Sequence, residues 1–560
     1  MLRAVHAGDA EQHDGVRDTS GGRLGDASEQ GGAMELSAWF LTAHERGNPA
    51  TRIDRRHADP WTEGNDCRPL VHGRLYFARL HEELVALGDG DTVLFTDWRT
   101  DPDERLTGPG TEAAEVLCGV ASRGVGVRGL VWRSHPHQAR FSEQENLQFA
   151  DDINEAGGQV FVDERVRRGG SHHQKLFVVR HRRDLGNDVA FVGGIDLAHG
   201  RHDDALHHGD PQAIAIDRRY GPTPAWHDLQ LEVRGPAVGD LEHTFRERWE
   251  DPLPLARGPW SRRLARSAGQ PPHPAALPPQ APDPPQVGSH AVQVLRTYPA
   301  KRPGYSFAPH GERSIARTYL KAFARARSLV YIEDQYMWCM DAANALADAL
   351  RTQPQLRVVV VVPAYPDEDG RVSGAANRIS QLSVLGRLAD AGGERFAAYH
   401  LERSDGTPIY IHAKLCIVDD VWMMAGSDNF NRRSWTHDSE LSIAILDDKL
   451  DDREPHDPGG LGDGARVLAR NTRLDLWREH LERDEIPLDP VAGFRMMSES
   501  AAAVDASHDS GECGARPPGR LRRHRPAPVA WWARPLADGF YRLIGDPDGR
   551  PLALRRRRAY

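Results

Sequence analysis

Lysine is scarce in this 560-residue chain: Lys175, Lys301, Lys321, Lys414 and Lys449 are its only five, against 66 arginines. Where a diffuse positive charge suffices, the sequence uses arginine. Each surviving lysine therefore marks a candidate position for a compact ammonium rather than a planar fork. Cysteine is equally sparse: Cys67, Cys118, Cys339, Cys416 and Cys513 are scattered and form no CxxC pair. That excludes a disulfide framework and a Cys-based zinc site, and reduced thiols are expected. No run approaches the roughly 20 apolar residues that span a bilayer. Residues 1–32 also lack the apolar core of a secretion signal, so a soluble, cytoplasmic protein that meets membranes only peripherally is expected. The net charge of −10 lacks the basic footprint of a nucleic-acid coat.

What is present is enough for several folded units. Length excludes a single small module, and 39% hydrophobic residues with 53 glycines exclude wholesale disorder. Residues 1–34, rich in Gly and charge without periodicity, predict a disordered tail. From Gly73 a helical apolar pattern leads into a buried strand at Val93–Thr96. Further strands are predicted at Gly129–Trp132, Gln159–Val162, Leu176–Val179, Val189–Val192 and Leu229–Val233, and an amphipathic helix at Val238–Trp249. These elements define a first domain over 35–262. A linker follows over 263–290, in which residues 270–286 carry eight prolines.

The same grammar then recurs over 291–495. Helices near Ser314–Arg327 and Ala342–Arg351 alternate with strands at Leu329–Glu333 and Leu356–Val362. Strands at Phe396–His400, Lys414–Val418, Trp422–Ala425 and Glu440–Leu446 and a helix around Leu474–Leu481 complete the unit. The pattern predicts an α/β fold, with two tandem domains of mixed, largely parallel sheets flanked by helices. Residues 496–560 read as a basic tail. Its last 45 residues hold twelve Arg and three Asp, with Trp531, Trp532 and the run Arg555–Arg558. Such a tail is either solvated or laid against an anionic membrane surface.

Two of the five lysines follow a histidine by two residues, in His173-Gln174-Lys175 and His412-Ala413-Lys414. Chance gives two such pairs about 2% of the time. Each pair enters an apolar strand (LFVV, LCIV), and each is followed by a second strand ending in small residues (FVGGID, MAGSDN). The site is internally duplicated. On a strand, positions i and i+2 face the same side, so each half presents an imidazole beside an ammonium. Two imidazoles can divide phosphoryl transfer, one attacking phosphorus and the other protonating the leaving oxygen. Two lysines would neutralise the non-bridging oxygens. Neither an HExxH pattern nor a cysteine partner points to zinc, so no metal or other cofactor is expected.

HHQKLFVV, FVGGIDLAHGRHDD, WHDLQLEVRGPAV, YIEDQYMW, YIHAKLCIVDD, AGSDNFNRRS and HDSELSIAI together resemble the phospholipase D superfamily, over about Leu75 to Leu481. They are especially similar to its phosphatidylcholine-hydrolysing branch. The resemblance implies that both HxK motifs meet across a pseudo-twofold axis in a bilobal, monomeric pseudo-dimer. It implies that His173 becomes a phosphohistidine, and that His412 protonates the departing alcohol and then activates water or an acceptor alcohol. Lys175, Lys414, Asn429 and Ser427 are expected to hold phosphate oxygens. Glu440 is expected to orient an imidazole of the opposite half, with Asp203 as its first-half counterpart, while His227 and Asp228 organise the pocket. Asp419 completes the second HxKxxxxD pattern and is counted with the catalytic set.

Two positions depart from the family pattern. Arg180 stands where the first HxKxxxxD needs aspartate, which implies perturbed geometry more than lost chemistry. Asp196 replaces an Asn, as it also does in the phosphatidylcholine-hydrolysing branch. The expected partners are a phospholipid at a membrane surface and water or an alcohol, with no nucleic acid. Three alternatives stay open: a cardiolipin synthase-type phosphatidyltransferase, a nuclease or other phosphodiesterase, and a lipid-binding protein with a degenerate site. Against a nuclease stands the charge of −19 on residues 1–515.

Overall fold

The chain builds one sheet pattern twice. The computed structural model describes residues 35–134, 142–267, 269–366, 373–511, 516–526 and 545–560. Its first half runs α1 (Ala43–Arg46), β1 (Thr62–Val71), α2 (Gly73–Val85), β2 (Thr92–Asp97), α3 (Ala113–Ser122), β3 (Gly126–Trp132), α4 (Glu143–Glu155), β4 (Gln159–Asp163), β5 (Leu176–Arg180), β6 (Val189–Gly193), β7 (Ala225–His227), β8 (Leu229–Arg234), α5 (Ala237–Trp249) and α6 (Pro259–Ser267). The second half runs β9 (His290–Tyr298), β10 (Glu312–Arg313), α7 (Ser314–Arg325), β11 (Leu329–Glu333), α8 (Met340–Thr352), β12 (Arg357–Val361), α9 (Ser373–Gly392), β13 (Phe396–Glu402), β14 (Pro408–Ile411), β15 (Leu415–Val418), β16 (Trp422–Gly426), α10 (Arg432–Thr436), β17 (Glu440–Asp447), α11 (Val467–Leu481), α12 (Pro490–Ser510), β18 (Leu521–Arg523) and α13 (Leu552–Arg557).

In the first half the strands lie in the order β4, β3, β2, β5, β6, β8, β1. In the second the order is β13, β12, β11, β15, β16, β17, β9. Each sheet is mixed. Parallel order joins β2, β3 and β4, and likewise β11, β12 and β13, where α3, α4, α8 and α9 make the crossovers. The remaining neighbours within each sheet are antiparallel, so the parallel share is smaller than the helix–strand alternation implied. Continuous apolar runs such as Leu176–Val179 and Val358–Val361 suit any strand buried on both faces, whichever direction its neighbour runs.

Alternation along β5 places the core. Leu176 and Val178 join an inner cluster shared by both halves, with Leu231, Leu415, Ile417 and Leu441. Phe177 and Val179 join the outer cluster with Phe77, Phe95, Phe149 and Phe191 beneath α2 and α4. The halves are stitched edge to edge by β1 against β9 and by the parallel pairing of β7 with β14.

Three expected boundaries need correction. Residues 36–48 pack on the second half rather than the first: the Trp39 indole donates to Asp463 and stacks on Trp422, and Arg46 pairs with Glu312 at 3.0 Å. The Pro-rich segment is an extended strap held to α5, with Trp249 Nε1 donating to the Ala275 carbonyl and Gln280 Nε2 to that of Gly239, both at 2.7 Å. Residues after 495 are no free tail where they are described. Met496 lies inside α12, β18 pairs with β13, and Tyr560 is buried against Trp435. Trp531, Trp532 and the 1–34 tail lie outside the described residues. Among the described residues no helix is long and apolar enough to cross a membrane.

Candidate active site

The two HxK motifs enter the molecule in the same way. His173 N donates to the Ser439 carbonyl at 2.9 Å, and His412 N donates to the His227 carbonyl at 2.7 Å. Ser439 and His227 each precede an acid at the start of a buried strand of the opposite half, Glu440 of β17 and Asp228 just before β8. The side chains repeat the exchange: His173 Nδ1 lies 2.9 Å from Glu440 Oε2, and His412 Nδ1 lies 2.6 Å from Asp228 Oδ2. A carboxylate at Nδ1 takes its N–H and leaves Nε2 with a lone pair, the form a nucleophile or base requires.

Glu440 therefore stands where expected, against the imidazole of the other half, but Asp203 does not. Its carboxylate accepts the Trp226 amide at 2.6 Å and faces His207 Nδ1 at 3.1 Å. Asp228 takes the expected place of Asp203. The missed signal is an alignment of the chain with itself, in which Asp228 of WHDLQLEV falls opposite Glu440 of DSELSIAI, each followed by an apolar strand. The interval from histidine to acid obscures it, 28 residues in the second half but 55 in the first, where the insertion between Asp196 and Trp226 intervenes.

The acids are supported differently. The Ser427 hydroxyl donates to Glu440 Oε2 at 2.6 Å and accepts from Leu441 N at 3.0 Å. Both functions of the hydroxyl are committed, so Ser427 holds the acid rather than the phosphate expected of it. Its counterpart is Gly194, where a Cβ would come within 2.3 Å of Asp228 Oδ1. A hydroxyl steadies one acid, and a missing side chain makes room for the other.

Both lysines turn into the site. Lys175 Nζ donates to the His173 carbonyl at 3.0 Å, pairs with Asp196 at 3.1 Å and lies over Trp98. Lys414 Nζ donates to the His412 carbonyl and to Gln335 Oε1. Burial and Lys175 hold the His173 imidazole well below the ordinary range, and Lys414 of the other half adds to that depression. Burial and Lys414 push His412 down to about 3. Burial pushes Lys414 itself down to about 8, with Lys175 contributing. Burial and Asp438 push Glu440 up to about 8, whereas Asp228, although buried, is held below its usual range by His412. Burial also raises Asp196, but Lys175 and Arg201 outweigh it.

A cavity of about 420 Å³ opens onto this centre, lined by Trp98, His173, Tyr336, Asn429, Arg433 and Glu440 among others. Asn429 is buried on the wall of this cavity, with its amide oxygen unpartnered. A neighbouring cavity of about 210 Å³ shares Tyr336 and is floored by Gln335 and Tyr410, which reach Lys414 and His412. Trp226 packs on His412 with ring centroids 4.9 Å apart and carries Arg201 on its other contact.

Asp419 is not in the site. Its carboxylate accepts the backbone amides of Arg327, Ser328 and Leu329, capping the turn that enters β11. Arg180 occupies the same register in the first half, opposite Thr92, where Asp419 flanks Leu329. There it meets Asp188 at 3.1 Å and Glu242 at 3.4 Å and donates to the Pro282 carbonyl. The departure exchanges a turn cap for a strap anchor.

Comparison with known proteins gives the family of each half. The model of the family described as Phospholipase D matches residues 147–301, and the one described as Cardiolipin synthase, PLD-like domain, matches residues 319–453, one in each half. Phospholipase D alpha 1 of Cynara cardunculus is 24% identical over 68% of this chain and 60% of its own length. That of Arabidopsis thaliana is 25% identical over 69% and 61%. The chain thus spans about three-fifths of these relatives. Among solved structures, a phosphatidylserine synthase of Haemophilus influenzae aligns with a TM-score of 0.49 at 14% identity, over 79% of this chain and 94% of that one. With a duplicated HxK site, exchanged acids and a family model on each half, the chain belongs to the phospholipase D superfamily.

Proposed function

We propose that the protein is a phospholipase D-type phosphodiesterase that cleaves glycerophospholipids such as phosphatidylcholine at a membrane surface, through a phosphohistidine. The observation that carries this reading is the pair of imidazoles, each held at Nδ1 by an acid of the opposite half. His173 Nε2 attacks phosphorus and the bond to the head-group oxygen breaks. His412, as the imidazolium, delivers its Nε2 proton to that oxygen. In the second step His412 takes a proton from water or an alcohol, whose oxygen attacks phosphorus as the P–N bond breaks, and both rings return to their starting states. An anionic phosphodiester between Lys175 and Lys414 offsets those cations and raises the basicity of both rings, and Asp228 favours the His412 imidazolium.

A second reading, phosphatidyl transfer to a cellular alcohol, is favoured by the synthase-type family that the second half resembles. It uses the same intermediate. Incubation with phosphatidylcholine vesicles and a primary alcohol, followed by product identification, tests both. Phosphatidic acid with free choline supports hydrolysis, and a phosphatidyl alcohol supports transfer. Intact lipid under all conditions contradicts both readings.

A further inference from the structure

Behind the Asp228–His412 pair lies a second, buried constellation that the proposed chemistry does not use. His72, His207 and His227 converge on the carboxylate of Glu479, and one ligand atom from each of the four lies within 4.8 Å of all the others. His72 Nε2 is 2.9 Å from Glu479 Oε2, while His207 Nε2 and His227 Nδ1 are each 3.2 Å from Oε1. The three rings come from the first half, ahead of α2, from the insertion and from β7. The carboxylate comes from α11 of the second half.

Hydrogen bonding alone accounts poorly for this cluster. His207 faces carboxylates with both nitrogens, Asp203 at Nδ1 and Glu479 at Nε2. His227 does the same, with Glu333 2.7 Å from Nε2 and Glu479 at Nδ1. A neutral imidazole has one N–H and one lone pair, so each ring would have to be doubly protonated in a buried site, or else turn a lone pair toward an anion. Nδ1 of His227 is buried and makes no well-directed hydrogen bond. A dication among the four groups resolves both conflicts. The inward nitrogens become ligands, and the outward N–H groups go to Asp203 and Glu333, the carboxylate–histidine arrangement typical of metal-bound imidazoles. Two of the three histidines, His72 (φ 72) and His207 (φ 59), also hold left-handed backbone conformations that residues with a Cβ disfavour. On the other side of the pseudo-twofold, the backbone around Glu440 is held by ordinary hydrogen bonds. There Gln174 Nε2 donates to the Glu440 carbonyl at 3.2 Å, and His172 Nδ1 lies 2.6 Å from Ser439 Oγ. The fold does not itself demand a His₃Glu cluster.

We infer that His72, His207, His227 and Glu479 form a closed, four-coordinate site for a first-row divalent cation, with zinc the best match to three imidazoles and one carboxylate. The site clamps the two halves together beside Asp228, whose carbonyl accepts the His72 amide at 2.8 Å. It stands apart from the proposed substrate chemistry, and its test does not depend on it.

The experiment is to incubate the full chain with zinc chloride, desalt it and measure bound metal, together with the zinc-edge X-ray absorption spectrum. About one tightly held equivalent is expected, with only nitrogen and oxygen donors at about 2.0–2.1 Å. His207→Ala and the isosteric Glu479→Gln should each weaken retention at least about tenfold. A sulfur donor or a six-oxygen shell would overturn the site even if the variants fail to fold. So would a wild-type chain that emerges from desalting without zinc, or a folded Glu479→Gln chain that retains as much as wild type.

Discussion

Nδ1 of His412 and Oδ2 of Asp228 lie 2.6 Å apart although 184 residues separate them in the chain. The carboxylate fixes the ring tautomer and supports the imidazolium, so Asp228→Asn should leave the fold in place and lower kcat by about 10³–10⁴-fold. Asp203→Asn, which leaves that pair untouched, should cost far less. Steady-state kinetics of the two variants on phosphatidylcholine vesicles check the assignment, and equal losses would reverse it.

The Asp228 pairing also marks how far the sequence is legible. The HxK motifs themselves lie just ahead of β5 and β15 rather than on a strand, whereas the strands after them, the helices before β2 and β11 and the place of Glu440 follow from apolar runs and from the resemblance. Strand β1 does not, because Gly64, Asn65 and Pro69 interrupt its apolar pattern while its edges pair with β8 and β9. The choice of Asp203 over Asp228 fails because both are acids flanked by histidine and only the backbone path decides which reaches His412. The role of Ser427 was hidden for the same reason: one hydroxyl can serve a phosphate or a neighbouring acid, and sequence does not show which is nearer.

Glu440 gives a pH dependence with a definite sign. Burial raises its carboxyl to about 8, while the Ser427 hydrogen bond opposes the rise. The carboxylate form is the one that takes His173 Nδ1–H, so activity should increase as pH climbs through that region. Ser427→Ala removes a donor to the ionised form and should move this limb of the kcat/KM profile to higher pH. A shift to lower pH would contradict the role given to Ser427.

The same residue ties function to stability. A carboxyl whose folded pKa is raised stabilises the fold most at low pH and loses that contribution as pH rises toward the folded value, by up to about 1.4 kcal/mol per pH unit. Glu440→Gln cannot ionise, so its Tm should gain on wild type between about pH 5 and 8 while turnover is lost. Parallel Tm curves for the two proteins across that range would refute the burial argument.

Arg180 makes the converse case. Restoring the family aspartate with Arg180→Asp would place a third acid beside Asp188 and Glu242, both within 3.4 Å of the present guanidinium. Breaking such a buried network should destabilise the protein by about 3–5 kcal/mol in denaturant unfolding, without raising activity. A more active or more stable variant would show that Arg180 is a defect rather than an anchor.

Lys175 tests the need for a compact charge. Its ammonium is buried between the His173 carbonyl, Asp196 and Trp98. Arg at this position keeps the charge but not the shape, and Lys175→Arg should lose about 10²-fold or more in kcat.

The central claim is that imidazoles from two halves act on one phosphorus, His173 as nucleophile and His412 as proton carrier. It is tested most directly by quenching the enzyme with denaturant at mildly alkaline pH, where a P–N bond survives, during turnover of phosphatidylcholine and mapping the adduct by peptide mass spectrometry. A phosphatidyl group on the peptide containing His173, absent from His173→Ala and slow to clear in His412→Ala, is the expected result. An adduct on His412, or sustained turnover by His173→Ala, would contradict it.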